Sequence, residues 1–351
     1  MKINKIYQIF KIFFKVFGLN KRIDDYFRLE DFSNSVDKLH FSSLTSSSDG
    51  KKLFFRKQVR EIELETHAFC NRRCVFCPNA SIDRLDKAKV LPEATFKKII
   101  DELSDLGYKG SIRFHRFNEP LGLDIIFDRI KYAREKLPNV LLGFHSNGDY
   151  VTSGVIDRLE EIGMNFLHIS LYIDYNIPYF KLRKSAVDQS NRYFKKRGLK
   201  AIRLKAGENL TRYRIITKKM DVTLFVPNIR LQGNDRGGYL EELHKKKPRV
   251  SPCVSPFRGL YIDWTGDVLP CCNLRGDIEL QKKFIMGNIK DHSLEEVYFS
   301  EASNRIRKML VGYNEKEDAC KYCGYDLFCR GNKLKKLIDR RMESISVKTN
   351  L

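Results

Sequence analysis

No stretch of about 20 uncharged apolar residues occurs in this chain of 351 residues, so no segment reads as a membrane-spanning helix. A secretory cleavage site is also missing: Met1 to Asn20 starts basic, but Lys11 and Lys15 break its apolar run and no small-residue site follows. Without export there is no oxidising compartment, so the nine cysteines do not read as a disulfide framework. Acids are in short supply, 44 against 65 lysines and arginines, for a net charge of +21. Such an excess favours an anionic partner, whether nucleic acid, phosphorylated substrate or acidic lipid surface, and says nothing about fold. No solenoid-type repeat is present, and the basic stretches hold no recognisable RNA-binding module, so nucleic acid is not the expected partner. What is present is a globular composition, 42% hydrophobic and 31% charged, in a length that suits two domains or one large domain with an appendage. The expectation is a reduced cytoplasmic protein whose thiols bind metal.

From Met1 to Arg22 there are six basic residues and no acid, with Ile6, Phe10, Phe13 and Phe17 at helical spacing. The pattern predicts a basic amphipathic helix, lying either on the anionic inner face of a membrane or on the protein itself. Residues 1–50 read as an N-terminal segment that ends in a serine-rich linker at Ser42 to Gly50. From Glu61 onward, strand patterns at Glu61 to His67, Ser111 to Phe117, Val140 to His145 and Phe166 to Tyr172 alternate with helical ones. The helices are Pro92 to Leu106, Ile125 to Leu137 and Val155 to Ile162. Tyr179 to Lys196 adds a helix, and Ala201 to Ala206 and Val222 to Val226 add two strands. Repeated strand-helix units imply an α/β fold with parallel strands, and about six units predict a partial (β/α)6 TIM-type barrel over residues 51–240. After a boundary near Gly238 to Pro252, a small cysteine-rich domain is expected at 250–332, with one helix from Leu294 to Leu310, then a basic tail at 333–351.

Cys70, Cys74 and Cys77 lie in Cys-Asn-Arg-Arg-Cys-Val-Phe-Cys directly after the first strand, where parallel α/β folds place their chemistry. Three thiolates suit either a zinc ion completed by a further ligand or a four-iron cluster that keeps one iron open. Their spacing, three and then two intervening residues, resembles the signature of the radical S-adenosylmethionine (SAM) superfamily, and the resemblance covers about Glu61 to Gly238. It implies that these cysteines hold a 4Fe-4S cluster whose open iron chelates SAM, and that Phe76 packs near the adenine. Asn118-Glu119-Pro120 stands where the family has a Gly-Gly-Glu-Pro motif that receives the methionyl amino group, with Phe117-Asn118 in place of the two glycines. Asn147, in Ser146-Asn147-Gly148, ends the third strand in a family-like turn, and Ser170 lies on the fourth where the family contacts the ribose. The implied reaction is reductive cleavage of SAM to a 5'-deoxyadenosyl radical that takes a hydrogen atom from a substrate. An electron donor such as a flavodoxin or ferredoxin is implied with it.

The other six cysteines fall between Cys253 and Cys329. Cys253, Gly266, Cys271, Cys320, Cys323 and Cys329, with Gly287-Asn288-Ile289 and Ser293-Leu294-Glu295-Glu296-Val297 between them, resemble the SPASM domain of radical enzymes that modify peptides and sugars. Lys333 replaces the family's next cysteine and its last is absent, so six thiols fall short of the eight that two cysteine-ligated clusters need. One auxiliary 4Fe-4S cluster is therefore expected. The resemblance to the shortened twitch form of the domain implies ligation by Cys253, Cys271, Cys320 and Cys323, with Cys329 as the alternative fourth ligand and Cys272 as a buried thiol. A zinc ribbon is the structural alternative. His115, Arg116 and His145 are softer cavity candidates at strand ends, and the basic run from Lys181 to Lys219 reads as a docking face or a solvated helix surface. An anionic or lipid-linked glycan or sugar phosphate is favoured over a peptide as the substrate. The non-enzymatic rival is an iron-sulfur electron carrier or sensor.

Overall fold

The computed structural model describes residues 47–172, 182–207, 210–229, 233–243, 247–312 and 314–324. The basic N-terminal helix, Cys329 and the tail at 333–351 lie outside the described residues. Helix α1 (Ser48–Gln58) starts inside the expected serine linker: Ser47 caps it by accepting from the Gly50 amide at 3.1 Å, and Phe54 and Phe55 supply a buried face. Strands β1 (Glu61–Leu64), β2 (Ser111–Arg113), β3 (Leu141–Ser146) and β4 (Phe166–Ser170) alternate with helices α2 (Glu93–Asp105), α3 (Ile125–Lys136) and α4 (Ser153–Glu161). Helix α5 (Leu182–Arg197) precedes β5 (Ala201–Ala206), β6 (Leu210–Ile215) and β7 (Asp221–Pro227). The cysteine-rich block adds α6 (Ser255–Arg258), β8 (Gly259–Ile262), β9 (Asp267–Leu269), β10 (Gly287–Asn288), α7 (Leu294–Phe299) and α8 (Glu301–Val311). No helix among the described residues is long and apolar enough to cross a membrane.

All ten strands join one sheet in the order β10-β9-β8-β1-β2-β3-β4-β7-β6-β5. Its centre, β8-β1-β2-β3-β4-β7, is parallel throughout, so the chain is α/β with an incomplete set of barrel strands. The membership of that set differs from expectation. Ala201–Ala206 is the antiparallel edge of a β5-β6 hairpin, because only residues 207–209 separate the two strands and a parallel crossover needs about a dozen. The sixth parallel strand is β8, which the cysteine-rich block lays beside β1 with Glu61 opposite Gly259. The single helix expected over Leu294 to Leu310 is two, since Ser300 leaves helical geometry (φ −59°, ψ 158°) and caps α8 through the Ser303 amide.

Alternation along the strands separates an apolar face from a polar one. Ile62, Leu64, Ile112, Phe114, Leu142, Phe144, Leu167 and Ile169 are fully buried in the core shared with the helices, each contributing about 1.5–3 kcal/mol on burial. Phe96 of α2 packs on Phe114 with ring centroids 6.4 Å apart. The opposite, inner face carries Glu61, Glu63, Arg113, His115, His145 and Ser170. Gly143 belongs to this face, and a Cβ there would come within 2.6 Å of the Phe166 ring, so glycine lets that ring lie across β3. Buried charges tie the two halves of the chain together. Arg84 donates to Glu65 at 3.0 Å and Asp277 at 3.2 Å, while Arg275 donates to Asp277 at 2.6 Å and Asn79 at 2.7 Å.

Candidate active site

A cavity of about 320 Å³ lies against the inner face and the carboxyl ends of the central strands, and Cys70, Cys74 and Cys77 all line it. Their loop is bolted to the turn after β3. Arg72 grips Asp149 through bonds of 2.7 and 2.5 Å, Asn71 donates to the same carboxylate at 2.7 Å, and the Asn147 side chain donates to Asn71 at 2.8 Å. Gly148 completes that turn at φ +83°, a backbone conformation that disfavours side chains. Burial pushes the Cys70 thiol up and the Cys74 thiol up to about 11, and the neighbouring thiols add to the shift at Cys74. Metal binding at these two positions therefore has to displace protons.

Phe76 and Tyr172 pack with ring centroids 4.8 Å apart on the cavity wall. Asn118 is buried, accepts from the Arg116 amide at 3.0 Å, and keeps its Nδ2 without a partner among the described residues. Glu119 accepts from Asn147 N at 2.6 Å, Ser146 Oγ at 2.8 Å and Leu121 N at 3.3 Å. Burial pushes its carboxyl up to about 7 against those bonds. Asn118, Glu119, Asn147 and Ser170 line the cavity, whereas Pro120 does not; its carbonyl faces His67 Nε2 at 3.4 Å. Where the resemblance leads one to expect glycines, the Phe117 ring lies 4.9, 5.6 and 6.0 Å from the guanidiniums of Arg275, Arg236 and Arg116.

Across the floor, His115 and His145 stack with ring centroids 4.3 Å apart, and His145 Nε2 lies 3.0 Å from His168 Nδ1. Burial lowers all three, His145 to about 3, His168 to about 4 and His115 well below its ordinary value, so the row is neutral. Because His115 Nδ1 accepts from the His145 amide at 3.2 Å, the neutral His115 ring carries its proton on Nε2. The sequence reading passed over His168 and the cavity residues Glu61, Glu63, Arg113, Tyr172 and Arg236. The period-two alternation that places Glu61 and Glu63 opposite Ile62 and Leu64 was the available signal.

Cys253, Cys271, Cys320 and Cys323 line a second, tighter cavity of about 20 Å³. An Arg249 terminal nitrogen lies 3.8 Å from the Cys323 sulfur and the guanidinium also donates to the Pro252 carbonyl. Burial, then the neighbouring thiols, drive Cys271 and Cys320 well above the ordinary thiol value. Cys272, expected as a buried thiol, lines the first cavity, and burial pushes its thiol well up. Among the described residues no three His, Cys, Asp or Glu side chains converge on a position for one metal ion. Three thiols of the Cys70 to Cys77 loop line the first cavity and four thiols of the cysteine-rich block line the second.

Residues 64–229 match the Radical SAM superfamily, and residues 253–324 match SPASM, an iron-sulfur cluster-binding domain. The chain is 26% identical over 266 residues to the S-adenosyl-L-methionine-dependent 2-deoxy-scyllo-inosamine dehydrogenase of Niallia circulans, covering 75% of this chain and 91% of that protein. Among solved structures, BtrN in complex with AdoMet and 2-DOIA aligns with a TM-score of 0.54 at 23% identity, over 76% of this chain and 93% of that one. BtrN in an open conformation gives 0.50 at 20% identity, over 76% and 92%. The likeness to both is one of fold.

Proposed function

The chain belongs to the radical SAM superfamily and carries a SPASM iron-sulfur domain, and from that premise we propose that it oxidises a carbinol of a small sugar or cyclitol by hydrogen-atom abstraction. The observation that carries this reading is the partition between the cavities. Four thiols surround one cavity while Cys272, the next residue after Cys271, faces the other, so a single auxiliary cluster fits one peptide away from the substrate space. The relative from Niallia circulans, named as a dehydrogenase of 2-deoxy-scyllo-inosamine, supports the same class of substrate. Cys70, Cys74 and Cys77 would hold a 4Fe-4S cluster, which would supply the electron for reductive SAM cleavage. Once one hydrogen atom is abstracted, the substrate would reach the ketone by losing a proton to solvent and its second electron to an auxiliary cluster that Cys253, Cys271, Cys320 and Cys323 would hold.

The chain's own residues bind and orient. Phe76 and Tyr172 offer an aromatic wall to the adenine, Ser170 a hydroxyl to the ribose, and the free Asn118 Nδ2 a donor to the methionyl end. Glu119 holds the turn at Ser146 and Asn147 in place and faces the cavity. Cys253, Cys271, Cys320 and Cys323 form a four-thiol set among the described residues, and to these we assign the auxiliary cluster. Reduction calls for a one-electron donor of the flavodoxin or ferredoxin kind.

The test is anaerobic incubation of the reconstituted enzyme with a reductant, SAM and a panel containing 2-deoxy-scyllo-inosamine, neutral cyclitols, hexoses and peptides. Expected are 5'-deoxyadenosine and a ketone product in equal amounts, with deuterium from a labelled carbinol carbon appearing in the 5'-deoxyadenosine. A modified peptide with no ketone from any carbinol would refute the substrate class. Absence of any SAM cleavage would return the chain to the electron-carrier reading.

A further inference from the structure

Glu63 sits on the inner face of β1, 4% exposed, and lines the first cavity. Its Oε2 is sealed from solvent without a hydrogen-bond partner, and no ion pair reaches the carboxyl among the described residues. The terminal nitrogens of the surrounding guanidiniums are engaged elsewhere, while the Nε atoms of Arg113, Arg116 and Arg236 are buried without a partner among the described residues. Glu61 on the same face pairs with Arg113 at 2.8 Å. Arg116 donates to the Tyr261 carbonyl at 2.7 Å and the Leu274 carbonyl at 2.5 Å, and Arg236 donates to the Asn273 side chain at 3.2 Å. Cys272, opposite, carries a thiol that burial and then Glu63 push well up, and it supplies no charge.

A carboxyl buried without a partner is costly, and a chain that keeps one in a cavity wall is keeping it for what enters the cavity. We propose that Glu63 anchors the substrate and that the group it takes is a hydroxyl. The choice of a hydroxyl rests on the carbinol reading above; the anchoring role rests on the geometry alone.

The charge around the residue selects the ligand class. Burial, then Glu61, push the Glu63 carboxyl up to about 8, with Arg116, Arg113 and Arg236 pulling it only part of the way back. At neutral pH it is mostly a carboxylic acid, with one donor and free acceptor positions, the complement of a hydroxyl that also donates and accepts. An ammonium placed there would meet the guanidiniums of Arg113, Arg116 and Arg236. This part of the cavity therefore fits a hydroxyl better than an ammonium.

The test uses full-length reconstituted protein as wild type, Glu63→Gln and Glu63→Leu, and reads the thermal unfolding midpoint from about pH 5 to about pH 9. A carboxyl raised from its ordinary 4.5 to about 8 is protonated in the folded chain and ionised in the unfolded one between those values, so it costs stability progressively as pH rises through that window. Both variants should melt above wild type at the alkaline end, and the wild-type decline should flatten in both. Adding myo-inositol as a neutral probe should raise the midpoint of wild type and Glu63→Gln but not of Glu63→Leu. The amine 2-deoxystreptamine should do so less.

If both variants melt below wild type throughout, the carboxyl is a structural member and the anchoring role fails. A myo-inositol shift common to all three proteins, or absent from all three, overturns the hydroxyl assignment, as does a larger shift from the amine. No turnover enters these measurements, so they stand or fall separately from carbinol oxidation.

Discussion

Cys271 and Cys272 are bonded neighbours whose side chains open on different cavities, one lined by four thiols and the other by the three of the first cluster site. Two four-iron clusters give about eight irons per chain in the reconstituted protein. Cys271→Ala should bring that toward about four, whereas Cys272→Ala should leave it near eight. Iron analysis with electron paramagnetic resonance of the reduced protein checks this. Loss of iron in the Cys272 variant would move the ligand set onto the other side of the peptide.

Arg84 and Glu65 form a buried pair, 4% and 1% exposed at the side chain, and Glu65 also accepts from the Phe117 amide at 3.0 Å. Arg84→Met leaves that carboxylate buried without its cation and should cost about 3–5 kcal/mol in denaturant unfolding. Adding Glu65→Gln removes the stranded charge, so the double variant should be more stable than the single one. Equal or greater loss in the double variant would show that the pair's charge is not what Arg84 compensates.

The strand-helix order from Glu61 to Ser170 was legible because period-two and period-3.6 patterns separate cleanly there, and the cysteine spacings pointed to both thiol clusters. The β5-β6 hairpin was not, since alternation looks the same in parallel and antiparallel strands and Leu-Thr-Arg-Tyr-Arg-Ile lies in a basic run. Strand β8 is four residues, Gly-Leu-Tyr-Ile, too short to announce that it would complete the parallel set beside β1. The side to which Cys272 turns depends on a turn held by Arg116 and Arg236 from distant strands and loops, which no local pattern encodes. Glu63 was legible in principle: Glu-Ile-Glu-Leu places both acids on the face opposite the core.

Arg72 and Asp149 are about one-quarter and one-third exposed, so their pair serves to hold the Cys70 to Cys77 loop against β3 more than to stabilise the whole chain. Charge-assisted bonds of this kind contribute about 1.5–3 kcal/mol, here to the loop. Arg72→Met should shift the global unfolding midpoint little while accelerating loss of the first cluster to an iron chelator, with the second cluster retained. A cluster loss rate equal to that of wild type would reject the positioning role.

His145 and His168 share a hydrogen bond and are held neutral, at about 3 and about 4 against an ordinary 6.5, with burial as the chief cause of both shifts. Between about pH 6.5 and the folded values, the unfolded chain binds protons that the folded chain does not, so stability rises with pH and is lost on acidification. At about 1.36 kcal/mol per pKa unit, the buried His145 alone is worth several kcal/mol over that window. His145→Gln should therefore unfold less steeply as the pH falls toward about 4, while losing about 1 kcal/mol at neutral pH with the bond to His168. Glu63 acts with the opposite sign, destabilising toward alkaline pH, so wild type should be most stable between the two windows. An acid limb unchanged by His145→Gln would mean that the row is already charged in the folded chain, and the neutral assignment would fall.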